Sequence, residues 1–278
     1  MNHLDFIEYH TADKDSLHNK VHVHNDSYEI LHVVEGEGVF LVGDTLYPLI
    51  PNAIYLVNSV QLHCSHVKDK CNYVRSKLAI NATYLDRVLE ALEISTYIKT
   101  LFDQQNGQYL LLSAKSSAQI DELFKSLYKY SQENTPSSKA KQIITLVNIL
   151  LICKSVAVDA ETKSERDPNS LIARTIKYIN LNISSELTID MIAKDIFISK
   201  YYLCRSFKKH LGISIMKYIL SQRLALAKEQ LVSTNNKCSD IAMSTGFSSF
   251  SYFCRVFREL EGISPTRYRQ LHGDKAKK

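Results

Sequence analysis

Between residues 20 and 80 the chain alternates short apolar runs with turn-forming residues. The runs at 21–23, 29–34, 39–42 and 54–57 are rich in β-branched and aromatic side chains. They are separated by His24-Asn25-Asp26-Ser27, Glu35-Gly36-Glu37-Gly38, Gly43-Asp44 and Pro51-Asn52. This spacing predicts strands joined by tight turns, in a sandwich or barrel. From about Asn81 the period changes. Tyr84, Leu85, Val88, Leu89 and Leu92 recur at helical intervals, as do Ile120, Leu123, Phe124, Leu127 and Tyr128. A third helix is predicted after Pro136, running to about Val158, apolar enough to pack on the strands or to form a dimer interface. Residues 159–169 (DAETKSERDPN) hold no large apolar side chain and read as a linker. Helical patterning resumes at Leu171 and continues almost to the end.

Within that last part the chain repeats itself at an offset of 50 residues: 201–208 (YYLCRSFK) aligns with 251–258 (SYFCRVFR), Gly212-Ile213-Ser214 with Gly262-Ile263-Ser264, and Tyr218 with Tyr268. Upstream, Ile192-Ala193 matches Ile241-Ala242 if one residue is gapped in the turn. Each copy has the grammar of a helix-turn-helix. A short helix, about 189–196 or 239–245, carries an alanine where a second helix can approach. A turn follows (Gly246-Phe247 in the second copy), then a serine, Ser199 or Ser249, placed to cap the next helix. Leu203 and Phe207, like Phe253 and Phe257, lie four apart and should face a core. Tyr201, Cys204, Arg205 and Lys208 then project from the other side, as do Ser251, Cys254, Arg255 and Arg258. The first copy has Phe197-Ile198 and no turn glycine, which its shorter turn is expected to excuse.

Charge locates the partner. The 278 residues carry a net +5, but residues 1–169 hold 16 Lys and Arg against 21 Asp and Glu, whereas 170–278 hold 18 against 8. The basic half is the one expected to meet a polyanion. Arginines 205 and 255 have the fork that pairs with guanine O6 and N7, while Lys208, Lys209 and Arg258 suit phosphates, and Lys200 is a further DNA-binding candidate. Between the copies, 214–231 reads as a helix with Met216, Ile219, Leu220, Leu224 and Leu231 on or near one face. Eighteen residues make a rod of roughly 27 Å, against about 34 Å for one turn of B-DNA. One chain would thus read an asymmetric site of about two turns.

The run from Asp240 to Arg258 (DIAMSTGFSSFSYFCRVFR), followed by Gly262-Ile-Ser-Pro265 and Tyr268-Arg269, resembles the signature of AraC/XylS-family transcription regulators. The resemblance covers about the last hundred residues. It implies that the first reading helix makes the more selective base contacts, through Tyr201, Cys204 and Arg205. The second would offer Phe250, Ser251, Cys254 and Arg255. Phe250 is aromatic where a polar reader is expected, which assigns that helix to positioning and grip.

In the N-terminal part, His22-x-His24, Glu29 and Gly36 fit the spacing of the first cupin motif, with His63 beyond the next strands. The second cupin motif is degraded. Two histidines at i and i+2, a carboxylate and a third histidine can ligate zinc, iron or manganese. The same residues, with Tyr47, equally suit a small-molecule effector pocket, or are structural. Tyr28 and Tyr55 are further pocket candidates, Glu29 admits a role as partner to a neighbouring histidine, and His32 alternates with Ile30 as a plain strand residue. The fold class expected is α+β with two domains: a cupin-like β-barrel with helices over 1–158, and an all-α tandem helix-turn-helix unit over 170–278.

The leading expectation is a cytoplasmic, non-enzymatic, ligand-responsive regulator without a cofactor, more an activator than a repressor. Its partners would be double-stranded promoter DNA, an effector such as a sugar or metabolite, RNA polymerase and a second copy of itself. No membrane span is expected, because the longest apolar stretch, 143–158, is interrupted by Thr145, Asn148 and Lys154. The N-terminus carries Asp5 and Glu8 and lacks a signal pattern. Two alternatives stay open. One is a metal-dependent cupin enzyme fused to the DNA-binding unit. The other is a redox sensor using Cys204 and Cys254, with Arg205 and Arg255 favouring a thiolate. None of the six cysteines has zinc-site spacing.

Overall fold

In the computed structural model the described residues are 4–12, 26–59, 61–68, 72–103, 107–160 and 171–273, and they fall into two units, before and after the 161–170 segment. The first unit begins with seven strands: β1 (Leu4–Ala12), β2 (Ser27–Glu35), β3 (Gly38–Val42), β4 (Thr45–Leu49), β5 (Ala53–Val57), β6 (His63–Val67) and β7 (Val74–Asn81). Two helices, α1 (Ala82–Ala91) and α2 (Ser95–Lys99), a last strand β8 (Gln108–Leu111), and the helices α3 (Ala114–Ser131) and α4 (Pro136–Ala160) complete it. All pairings are antiparallel and make two sheets, ordered β1-β7-β2-β5-β8 and β4-β3-β6.

The five-stranded sheet is covered on both faces, so its middle strands are buried throughout rather than alternately. Alternation survives as a choice of core. Ile30, Ile54, Leu56, Leu78 and Ile80 join a cluster with Leu85, Phe124 and Leu150 from the helices. Their neighbours Leu31, Val33, Tyr55 and Val57 pack with Phe40, Val42, Tyr47 and Leu49 of the smaller sheet. His32 lies on the helix side with Ile30, where its Nε2 is 3.0 Å from Ser117 Oγ.

Three of the expected strands are β2, β3 and β5, while the run at 21–23 lies outside the described residues. Five strands have no counterpart in the sequence reading. β4 contains Pro48, which argues against a strand, but β4 is at the edge of its sheet and Pro48 faces solvent. β7 turns Arg75 and Lys77 inward, reversing the usual pattern. α4 extends past Val158 to Ala160, shortening the linker from its N-terminal side; 161–169 lie outside the described residues. By length, and by a mean hydropathy of 1.7 over its most apolar 18-residue window, α4 is apolar enough over Pro136–Val158 to cross a membrane, despite its polar interruptions. Its Leu146, Ile149, Leu150 and Cys153 belong to this unit's core, while Ile144, Leu151 and Val158 are exposed.

The second unit is helical: α5 (Leu171–Leu181), α6 (Ile189–Asp195), α7 (Lys200–Leu211), α8 (Ile215–Ser233), α9 (Cys238–Ser244), α10 (Phe250–Glu261) and α11 (Pro265–His272). Side-chain oxygens of Thr188, Ser199, Ser214, Ser249 and Ser264 cap α6, α7, α8, α10 and α11, each accepting from the N–H three residues on. Ala193 and Ala242 are buried at the close approaches between helices, as their size suggests. Met216 departs from the expected face of α8 and is exposed, because the buried positions follow Ile215, Tyr218 and Ile219 before shifting to Leu224, Ala227 and Leu231.

The two turns differ from expectation. Ile198 N–H donates to Ala193 O and Phe247 N–H to Ala242 O, both at 3.0 Å, so Phe197 is the equivalent of Gly246. Both are left-handed, with φ of 59° and 88°. The residue missing from the first copy is the one after, equivalent to Ser248. The shorter turn therefore does not excuse the lost glycine: Phe197 occupies a left-handed position with its side chain 89% exposed.

Candidate nucleic-acid interface and sensing core

The two recognition helices are set by the same rule. Leu203 and Phe207, and Phe253 and Phe257, are fully buried. The opposite faces then expose Tyr201 (75%), Arg205, Lys208 and Lys209 on α7, and Phe250, Ser251, Arg255 and Arg258 on α10. Cys204 and Cys254 are half-buried at the borders. Ser199 and Ser249 are consumed as caps, donated to by Tyr202 N–H and Tyr252 N–H at 3.2 Å.

The two faces are not electrostatically alike. Arg255 Nη1 donates to Glu259 Oε1 at 3.2 Å, and its guanidinium lies 5.2 Å from the Tyr252 ring centroid. On α7 the residue four positions after Arg205 is Lys209, and Arg205 has no hydrogen-bond or ion partner among the described residues. Lys200 is paired with Asp190 at 2.7 Å. On α10, Ser251, Cys254, Arg255, Arg258 and Glu259 line a shallow depression of about 550 Å³. Burial, with Cys238 nearby, pushes the Cys254 thiol up, opposed by Arg258. The cation that acts on this thiol is Arg258 rather than the expected Arg255, and desolvation outweighs it.

In the first unit, Glu29, His63 and Lys77 meet between the sheets. Lys77 Nζ is 2.7 Å and His63 Nε2 3.4 Å from Glu29 Oε2, and Glu29 and His63 are both buried. His63 Nδ1 lies 2.9 Å from the Gln61 carbonyl, which only accepts, so that nitrogen carries a proton. Glu29 is thus an ion-pair partner of Lys77, a residue the sequence reading did not name, with the expected histidine neighbour, His63, farther off at 3.4 Å. His22 and His24 lie outside the described residues. Tyr47 faces the same interior, its ring 5.5 Å from Tyr109 and 6.4 Å from Tyr55. Tyr28 does not join them; it lies on the helix side against Phe102, at 4.3 Å. Sequence reasoning missed Lys77 and Tyr109. The usable signal for Lys77 was the alternation of β7, which puts 75, 77 and 79 on one face.

Known proteins match both units. Residues 6–146, about half the chain, match the family model described as AraC-like ligand binding domain, and residues 192–271 match that described as Helix-turn-helix domain. The HTH-type transcriptional regulator YfiF of Bacillus subtilis is 27% identical over 277 residues, covering 97% of this chain and 84% of its own. The probable transcriptional regulator LumQ of Photobacterium leiognathi is 26% identical over 252 residues, covering 90% and 92%. The bifunctional transcriptional activator/DNA repair enzyme AdaA of Bacillus subtilis is 36% identical over 95 residues, 34% of this chain and less than half of its own length (45%). The chain belongs to the AraC family of transcriptional regulators, with an AraC-like ligand-binding domain followed by a helix-turn-helix DNA-binding domain.

Proposed function

We propose that this regulator reads an asymmetric promoter site of about two helical turns, with α7 and α10 in successive major grooves. The observation that carries the reading is the face of α7. Its inner side is locked by Leu203 and Phe207, its start is capped by Ser199, and Tyr201 and Arg205 stand exposed and uncommitted. Tyr201, Cys204 and Arg205 read bases, and Lys208 and Lys209 hold phosphates. On α10, Glu259 and Tyr252 already engage Arg255, which supports a helix that grips through Arg258, Ser251 and Phe250 more than it discriminates. The test is a band-shift titration with Arg205→Ala against duplexes selected by the full-length protein from a random-sequence pool. Specific binding weakens by roughly 1–3 kcal/mol and sequence preference relaxes; unchanged affinity and preference refute the role.

In the ligand-binding domain, the Glu29–His63–Lys77 cluster beside the tyrosine group suits a polar metabolite or sugar, whose hydroxyls exchange hydrogen bonds with paired charges and whose carbon faces lie on aromatic rings. The effector acts through differential affinity for two states of the protein. The regulator works in the cytoplasm as an activator that engages RNA polymerase. It does so as a homodimer: α4 leaves Ile144, Leu151 and Val158 exposed at seven-residue spacing, one apolar stripe along a long helix.

A further inference from the structure

Three segments of the DNA-binding unit that are distant in sequence converge on one side chain. Arg223, near the middle of α8, donates from Nε to Ile183 O at 2.9 Å and from Nη2 to Ser185 O at 2.7 Å, capturing the α5–α6 loop of the first motif. Gly246, the left-handed turn residue of the second motif, sits directly against this pair. A Cβ there would lie 2.5 Å from Ile183 O and 2.7 Å from Arg223 Nε. Tyr252 of α10 is also close enough to act on the guanidinium electrostatically. First motif, connecting helix and second recognition helix thus meet at a single point.

The second arginine of this kind isolates what is particular here. Arg269 of α11 donates to Leu231 O at 3.1 Å and Asn236 O at 2.6 Å, holding the α8–α9 loop of the second motif. Each motif therefore has an arginine that clasps its entry loop. Only Arg223 also has the other motif's turn against it. The equivalent turn residue in the first copy, Phe197, faces solvent.

We infer that the contact of Arg223 and Ile183 with Gly246 fixes the angle between the two recognition helices, and so sets which separation of half-sites the protein accepts. This rests on the two-groove reading above. The connecting helix alone determines distance; rotation of one motif about its axis is stopped by the Gly246 backbone seated on the arginine-clasped loop. Glycine is required there by both conformation and space. One base pair more or less moves a half-site by about 3.4 Å and turns it by about 35°, a mismatch that a locked joint rejects and a loosened one absorbs. Arg223 is a positioning residue with no DNA contact of its own.

The test uses the full-length protein and duplexes it selects from a random-sequence pool, rebuilt with one base pair inserted or removed between the half-sites, and a half-site duplex carrying only the part protected by α7. Arg223→Met keeps the aliphatic stem and removes both hydrogen bonds; Arg223→Lys restores a donor; Gly246→Ala forces the joint apart. Arg223→Met is expected to lower affinity at the selected spacing about tenfold, the scale of two lost charge-assisted bonds that hold an orientation. It is expected to lower affinity at altered spacings far less, so that the preference for one spacing collapses, with half-site binding unchanged. Arg223→Lys recovers part of the preference. Arg223→Met decides the matter if Gly246→Ala does not fold. A wild-type spacing profile in Arg223→Met overturns the inference. So does an equal loss at every spacing and on the half-site, which marks a merely structural residue. A wild-type protein indifferent to spacing overturns the two-groove reading and the joint with it.

Discussion

His32 offers a quantitative test of the ligand-binding domain's core. It is 1% exposed, packed beside Phe124 and 3.0 Å from Ser117 Oγ. Burial lowers its pKa from the ordinary 6.5 to about 4, with Asp121 opposing the shift and His10 adding to it. Those two groups are themselves joined, His10 Nε2 lying 2.7 Å from Asp121 Oδ1. Between pH 6.5 and 4 the unfolded chain binds a proton that the folded chain refuses, so stability is full above pH 6.5 and falls as the pH drops through this window. A depression of about 2.5 units corresponds to about 3 kcal/mol lost by pH 4. His32→Gln keeps a hydrogen-bonding group toward Ser117 and removes the titration. The assay is peptide-resolved hydrogen exchange over 27–35 in a urea series at several pH values, which reads this unit apart from the helical one. The stability difference between wild type and variant should change by about 3 kcal/mol between pH 7 and pH 4, with other titrating groups cancelling. Parallel curves would refute the argument that desolvation, rather than the His10–Asp121 pair nearby, governs this imidazole.

Phe197→Gly should stabilise the DNA-binding unit by roughly 0.5–1 kcal/mol, because relief of a left-handed aromatic residue exceeds the added entropy of the unfolded glycine. No burial is lost at an 89% exposed side chain. A lower denaturant midpoint would show that the side chain has a native partner. On α4, the double substitution Ile144→Asp with Leu151→Asp should convert the full-length protein to monomer in sedimentation while leaving its circular dichroism intact; a persisting dimer would locate the interface elsewhere.

The DNA-binding unit was the more legible half of the sequence because its two copies check one another. The capping serines, the buried Leu203/Phe207 and Phe253/Phe257 pairs and the exposed basic faces all follow from spacing. What spacing could not give was the strain at Phe197, since a missing glycine in a shorter turn reads as a different turn. Nor could it give the Glu259 partner of Arg255, although an i,i+4 pattern was there to find. The ligand-binding domain was less legible. A strand buried on both faces loses its alternation, as 53–57 does, and β7 carries Arg75 and Lys77 into the interior, where a sequence reading expects apolar side chains. Glu29 and His63, singled out as site candidates, do lie together, but Lys77, the cation beside Glu29, sits on a strand the sequence did not announce. The histidines of the cupin-like motif, His22 and His24, lie outside the described residues.

Among the described residues, the five-stranded sheet separates two core clusters that share no side chain. Ile54, Tyr55 and Leu56 are consecutive, yet the first and third belong to the helices and the second to the interior beside Tyr47 and Tyr109. The partition is one polypeptide thick and stiffened by its own hydrogen bonds. Any coupling between the two cores is therefore expected to run through the backbone of this sheet, as a change in its curvature. For α3 and α4, which rest on that outer surface, the sheet behaves as a diaphragm.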